Sequence, residues 1–534
     1  MRMPFRLNGA PSRRRTMLAA AGLPAAAALL IAACSSGGTG SPAGAKDTAG
    51  AQTGGSQAAG GTLHWRSCTL SQTPMKCASL QVPLDYSKPH GRRITLALSM
   101  VPATAPASSR LGDLLVNPGG PGASGLSLAG DVAAGLDPSV AARYNIIGFD
   151  PRGVGHSVPA LTCQPNFFAG VRPDYIPANN AAELALEHRA QQYAAGCQQR
   201  YGWLLPYLTS LNSARDMDSI RAALGQQQIS YFGMSYGTYL GQLYGTLFPH
   251  RVKRMILDST VDPHGVWYAD NIAQDYAFQA RLEAFFAWVA SHNAVFRLGA
   301  TRAAVQQAWR TARARLTAHP ISGPNGPMIG PDEFDDTFLV GGYTTSVWPG
   351  LAAALSAYVR SGATGPMTGQ YQGIDLPNQS ENQFAVYNAV QCADVNWPRN
   401  WAKWNADTRR VYRTAPYQAW DNAWYNAACA FWPVKGAAQP PQIHGAGLPG
   451  ILMIQGTLDP ATPYQGALAA RRLLPSARMV VVPGGGNHVQ FFAQLPGGCV
   501  SGYVNRYLAT GALPPGSGLV NATCPAGPPP SPGG

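Results

Sequence analysis

Charged side chains are scarce in this chain. They make up 12% of its 534 residues, against 46% hydrophobic. That balance leaves enough apolar surface to bury a sizeable core, over a length that suits one large α/β unit or a few smaller domains. The formal net charge is +13, yet no basic run is interleaved with aromatic residues, so nucleic-acid binding is excluded. Five of the positive charges (Arg2, Arg6, Arg13, Arg14 and Arg15) precede residue 34 with no acid among them. No C-x-x-C pair or Cys/His cluster is present, and no metal centre is expected. No Lys-Ser/Thr step follows the glycine-rich turn at 118–122, so it is not read as a phosphate-binding loop, and no cofactor is expected. There is no internal repeat.

Residues 1–33 have the pattern of an export signal. Arg13 to Arg15 precede an apolar stretch, Met17 to Ala33, that is too short to span a bilayer comfortably. It ends Ile31-Ala32-Ala33-Cys34, which matches a bacterial lipoprotein cleavage box and makes Cys34 the expected lipidated residue. The arginines before Thr16-Met17-Leu18 also fit twin-arginine export, with the general secretory route left open. Residues 34–61 are a Gly/Ser/Ala tether suited to holding a domain off a membrane. The expected location is extracytoplasmic, lipid-anchored or secreted, with membrane contact through the lipid alone. Apart from Cys34 there are eight cysteines. Sequential pairing (Cys68 with Cys77, Cys163 with Cys197, Cys392 with Cys429, Cys499 with Cys524) closes four local loops, as an oxidising compartment permits.

The stretch around Gly233-Met234-Ser235-Tyr236-Gly237 organises the rest. A β-branched and aromatic run precedes it, and Tyr236 to Phe248 follows at helical spacing until Pro249. Strand, G-x-S-x-G and helix in that order form a nucleophile elbow. The turn leaves no room for side chains at 233 and 237, and it presents the Ser235 hydroxyl above a sheet. Further strands are expected at 80–86, 93–101, 113–117, 144–150, 254–258, 450–456 and 477–483, with helices at 213–224, 270–292 and 301–318. Strands alternating with helices predict a mostly parallel sheet covered on both faces. The Trp- and Tyr-rich residues 265–445 read as a helical cap inserted between core segments 62–264 and 446–524; the Pro/Gly-rich tail, 525–534, reads as disordered.

A serine hydroxyl needs a base, and the base needs an orienting acid. In the α/β-hydrolase layout these follow the serine in the order acid, histidine, each at a strand's carboxyl end. Asp459 and His488 fill those places, with Asp258 as a rival acid and Thr462 placed to hydrogen-bond Asp459. The turn Pro118-Gly119-Gly120-Pro121-Gly122 follows an early strand. The backbone amide of Gly120, or of a neighbour, would pair with that of Tyr236 as an oxyanion hole.

Five stretches together carry a resemblance: Val82-Pro-Leu-Asp-Tyr86, Asn117-Pro-Gly-Gly-Pro-Gly-Ala-Ser-Gly125, Gly148-Phe-Asp-Pro-Arg-Gly-Val-Gly-His-Ser157, Gly233-Met-Ser-Tyr-Gly-Thr-Tyr-Leu-Gly241 and Gly456-Thr-Leu-Asp-Pro-Ala-Thr-Pro463. The chain resembles the secreted tripeptidyl and prolyl aminopeptidases of actinobacteria, serine peptidases of the α/β-hydrolase fold. The resemblance implies release of short peptides or single residues from free amino termini, with Ser235, Asp459 and His488 as the triad. Asn487 departs from it, standing where a glycine is common. An aminopeptidase must hold a protonated amine, and Glu381 and Asp394 are the cap carboxylates considered for that task. A carboxylesterase or lipase could use the same triad, and a tethered, non-catalytic binding lipoprotein is the reading from another class.

Overall fold

The strand and helix patterns fold into one ten-stranded sheet. A computed structural model describes residues 63–323, 326–373, 380–494 and 497–533; the export signal, Cys34 and the whole tether lie outside the described residues. Its strands are β1 (Arg66–Leu70), β2 (Thr73–Pro83), β3 (Arg93–Val101), β4 (Gly112–Asn117), β5 (Tyr144–Asp150), β6 (Ile229–Met234), β7 (Val252–Asp258), β8 (Ile321–Gly323), β9 (Gly326–Ile329), β10 (Ile451–Gly456), β11 (Ala477–Val482) and β12 (Ala522–Thr523). The sheet runs β1-β2-β3-β5-β4-β6-β7-β10-β11-β12, and β8 and β9 form a separate hairpin. The first three pairings in that order, β1 with β2, β2 with β3 and β3 with β5, are antiparallel, and all the later ones are parallel.

The central strands have apolar side chains on both faces because helices cover both. Leu115, Ile147, Tyr231, Leu257 and Met453 pack into one core. Their chain neighbours Leu114, Ile146, Phe232, Ile256 and Leu452 pack into the other. Between β7 and β10 the chain leaves the sheet and builds the helical layer from Tyr268–Ser291 to Pro416–Asn426. That layer has an apolar centre of its own, around Phe278, Phe285, Phe286, Trp309, Phe334, Phe338 and Trp348. The four disulfides pair sequentially, as expected from their loops.

Some elements were not foreseen. The helix Asn180–Tyr201 starts on Asn179, whose side chain accepts from the Ala182 amide. Strands β1, β8, β9 and β12 are short and lack a clear two-residue alternation. The tail after Cys524 contains no helix or strand through residue 533, and the Pro530 carbonyl accepts a hydrogen bond from Trp288 Nε1 at 3.2 Å.

Burial also sets a pH dependence of stability. Asp258 and Asp275 are each pushed up to about 7 and Asp394 to about 6, in every case chiefly by burial. Exposed aspartates titrate near about 3.9. The folded chain therefore binds more protons than the unfolded chain between those values, and stability from these groups falls as pH rises through about 4 to 7. We expect a higher melting temperature at pH 5 than at pH 8 by scanning calorimetry. Asp275→Asn, whose amide oxygen can still accept from Asn422 Nδ2 (2.9 Å in the parent chain), should flatten part of that slope.

Candidate active site

Strand β6 ends at Met234, and the helix Tyr236–Leu247 begins two residues later. Ser235 between them has φ 55° and ψ −129°, a strained backbone that only surrounding contacts can hold. Those contacts are present. The Ser235 amide donates to the Asp258 carbonyl at 3.1 Å. The Ser235 carbonyl accepts from the Thr238 amide at 2.8 Å and from Thr238 Oγ1 at 2.6 Å. A Cβ at Gly233 would lie 2.3 Å from the Gly237 carbonyl oxygen, and one at Gly237 would lie 2.7 Å from that of Asn117. Glycine is thus required at both positions. Met234 and Tyr236 are buried while Ser235 keeps partial exposure, opening onto a cavity of about 300 Å³.

The loop after β4 lies against this elbow. Gly119 has φ 105°, and a Cβ there would sit 2.8 Å from Ser235 Cβ and 2.9 Å from the Tyr236 nitrogen. The Gly119 amide is spent on Asn117 Oδ1 at 3.0 Å. Gly120 lines the cavity together with Ser235 and Tyr236, next to the amino end of the helix Tyr236–Leu247. Backbone amides at such a site can stabilise developing negative charge.

Asp459 lies in the turn after β10. Its Oδ1 accepts from the Ala461 and Thr462 amides at 3.0 and 3.1 Å, and its Oδ2 accepts from Thr462 Oγ1 at 3.1 Å. His488 Nδ1 lies 2.9 and 3.0 Å from the two carboxylate oxygens. Both side chains are buried, and His488 lines the same cavity as Ser235. The His488 amide donates to the Tyr343 carbonyl at 2.8 Å, and the Tyr343 ring stands edge-on to the imidazole, centroids 5.6 Å apart. Asn487 Oδ1 accepts from the Thr345 amide at 2.8 Å. The residue standing where glycine is common therefore ties the histidine loop to the cap, which glycine could not do.

The rival acid has a different task. Asp258 accepts from the Gln490 amide at 3.0 Å and the Phe491 amide at 2.8 Å, the residues just past the histidine. Its neighbour Ser259 accepts from the Val489 amide at 2.8 Å, and Val489 is held at φ 60°. Asp258 and Ser259 thus clamp the chain immediately beyond His488, a role that the strand-end position alone did not disclose.

Two candidates for holding the substrate amine need correction. Neither Glu381 nor Asp394 is on the cavity wall. Glu381 Oε1 accepts from the Cys163 and Gln164 amides and from Tyr193 Oη, anchoring the chain near a disulfide. Asp394 accepts from the Ser210 amide, Ser210 Oγ and Trp267 Nε1. Tertiary packing has used both as internal anchors. The acids that do line the cavity are Asp262, Asp270 and Asp421, and no lysine or arginine lines it among the described residues.

Comparison with known proteins places this geometry. Residues 114–494 match the family described as alpha/beta hydrolase fold. A tripeptidyl aminopeptidase of Streptomyces coelicolor is 37% identical over 498 residues, 90% of this chain and 89% of that protein. A serine protease of Mycobacterium tuberculosis is 30% identical, covering 85% and 90% of the two chains. A carboxylesterase B of the same species is 32% identical, covering 89% and 93%. The family match begins inside β4 and ends just past the histidine loop, so it takes in the elbow, the cap and the acid turn together, and the chain belongs to the α/β-hydrolase family.

Proposed function

We propose that this chain is a serine aminopeptidase that releases short peptides from free amino termini outside the cytoplasm. His488 accepts the Ser235 proton while Asp459 orients the imidazole and offsets its positive charge. Ser235 attacks the scissile carbonyl, and the oxyanion is met by the amides of Gly120 and Tyr236. The leaving amine takes the proton from His488, and water, activated by the same imidazole, hydrolyses the acyl-enzyme. Thr462 fixes the Asp459 carboxylate through two hydrogen bonds.

The observation that carries the peptidase reading over an esterase is the cavity's carboxyl-rich lining. Three carboxyl side chains, and no lysine or arginine among the described residues, line the cavity beside Ser235. Burial pushes the Asp270 and Asp421 carboxyls well up, and a protonated amine beside them would favour their ionised forms, so this lining suits an ammonium group. The tripeptidyl aminopeptidase relative supports the same substrate class. The four disulfides support an oxidising compartment. No helix among the described residues is long and apolar enough to cross a membrane. Attachment through a lipid on Cys34 is part of the proposal, and mass spectrometry of the mature amino terminus tests it.

A panel of free tripeptidyl anilides, their N-acetylated forms and short acyl esters separates the readings. We expect kcat/KM for free tripeptides to exceed that for acetylated ones by at least about a hundredfold, the worth of one buried charged contact. Hydrolysis of esters alone would assign the chain to the carboxylesterases instead.

A further inference from the structure

Among the acids lining the cavity, Asp421 differs in its surroundings. It lies on the helix Pro416–Asn426, of which Gln418, Asp421, Asn422 and Tyr425 all line the cavity. Their spacing of three, four and seven places them on one face of the helix. Asp421 is 8% exposed and Gln418 5%. By contrast, Ala273 and Gln465 on the same wall are exposed, so the cavity opens at that end and closes at the helix. A closed end suits a chain terminus, and an open end suits the continuing polypeptide.

Two polar atoms at the closed end have no hydrogen-bond partner among the described residues: Asp421 Oδ1, an acceptor, and Gln418 Nε2, a donor. Burying either unpaired is unfavourable, because its hydrogen bonds to water are lost and not replaced. Their pairing is complementary to an amino-terminal residue, which offers ammonium donors and, three bonds further on, a carbonyl acceptor. Arg172 is the cation that acts on Asp421, but it is bonded to other carboxylates and only its Nη1 is left without a partner among the described residues. Arg172 Nε bonds Glu333 at 2.8 Å, and its Nη2 bonds Asp336. Burial and then the neighbouring Asp336 push the Asp421 carboxyl well up, and Asp335 and Asp275 add to this while Arg172 opposes it. No lysine or arginine among the described residues lines the pocket, and a substrate ammonium would supply that cation. The rings of Tyr387 and Tyr425, centroids 4.8 Å apart, also line the cavity.

We propose that Asp421 and Gln418 clamp the substrate's terminal α-ammonium and first carbonyl, so that this helix face selects free amino termini. The assignment rests on the aminopeptidase reading. It gives the chain a direction, with the released amino-terminal segment under the cap and the remainder leaving past Asp262 and Gln465.

The test compares free and N-acetylated tripeptidyl anilides on the whole protein and on Asp421→Asn, which keeps shape and removes charge. For Asp421→Asn we expect KM for the free substrate to rise at least thirtyfold, while activity on the acetylated substrate does not fall with it, so discrimination collapses. Gln418→Met should weaken both substrates together, since both retain the first carbonyl. Should Asp421→Asn fail to fold, inhibition of the parent enzyme decides: a free tripeptide amide should compete at least thirtyfold better than its acetylated form, and equal competition would overturn the clamp. Retention of the free-terminus preference by folded Asp421→Asn overturns the clamp while leaving the peptidase reading intact. A parent enzyme that cleaves neither anilide defeats the peptidase reading and the clamp with it.

Discussion

Replacing Ser235 by alanine should lower kcat on a free tripeptidyl anilide by about 10⁵- to 10⁶-fold, the scale of losing a triad nucleophile. The fold should survive it. The strain at φ 55° is borne by backbone contacts, namely the amide bond to the Asp258 carbonyl and the two Thr238 bonds to the Ser235 carbonyl, and none of these uses the hydroxyl. Alanine adds no atoms, so the melting temperature should stay within a few degrees, a change of about 1 kcal/mol or less. Any remaining turnover would report binding and the oxyanion amides without a covalent step. A large drop in stability would mean that the hydroxyl has a packing role that these contacts do not reveal.

Asp459→Asn should cost about 10⁴-fold in kcat with KM little changed, because an amide in that place favours the wrong imidazole tautomer. Asp459 receives Ala461 N, Thr462 N, Thr462 Oγ1 and His488 Nδ1, so the amide must also turn an N–H toward one of these donors. The decisive comparison is with Asp258→Asn. Asp258 faces the Gln490 and Phe491 amides, one on each oxygen, and asparagine can satisfy only one of them. That change should loosen the histidine loop and lower kcat by no more than about a hundredfold, the scale of a misplaced catalytic group. It should lower stability more than Asp459→Asn does. The reverse order of the two kcat losses would move the orienting role to Asp258.

How much of this was legible beforehand follows from how local each constraint is. Gly233 could be read directly, since a Cβ there meets the Gly237 carbonyl four residues on; Gly237 came with the same motif, although what excludes its side chain is Asn117, distant in sequence. The disulfides could be read because each closes a short loop. Asp459 was preferred on order alone and Asp258 stayed its rival, because both follow strands of one sheet, β10 beside β7, and it is their hydrogen-bond partners that distinguish them. Glu381 and Asp394 were misassigned for a related reason. Within a helical insertion, nothing local says whether a carboxylate faces a cavity or an amide across the core. The polar spacing of Gln418, Asp421, Asn422 and Tyr425 was present in the sequence. A periodic polar face, though, reads the same whether it meets solvent or a closed pocket.

The central claim is that one serine forms an acyl bond with the help of one histidine. Reaction with a fluorophosphonate, followed by peptide mass spectrometry, tests it most directly. The account predicts a single covalent adduct on Ser235, formed in the parent chain and lost or slowed by orders of magnitude in His488→Ala. An unmodified Ser235, or an adduct that forms equally fast without His488, would contradict it.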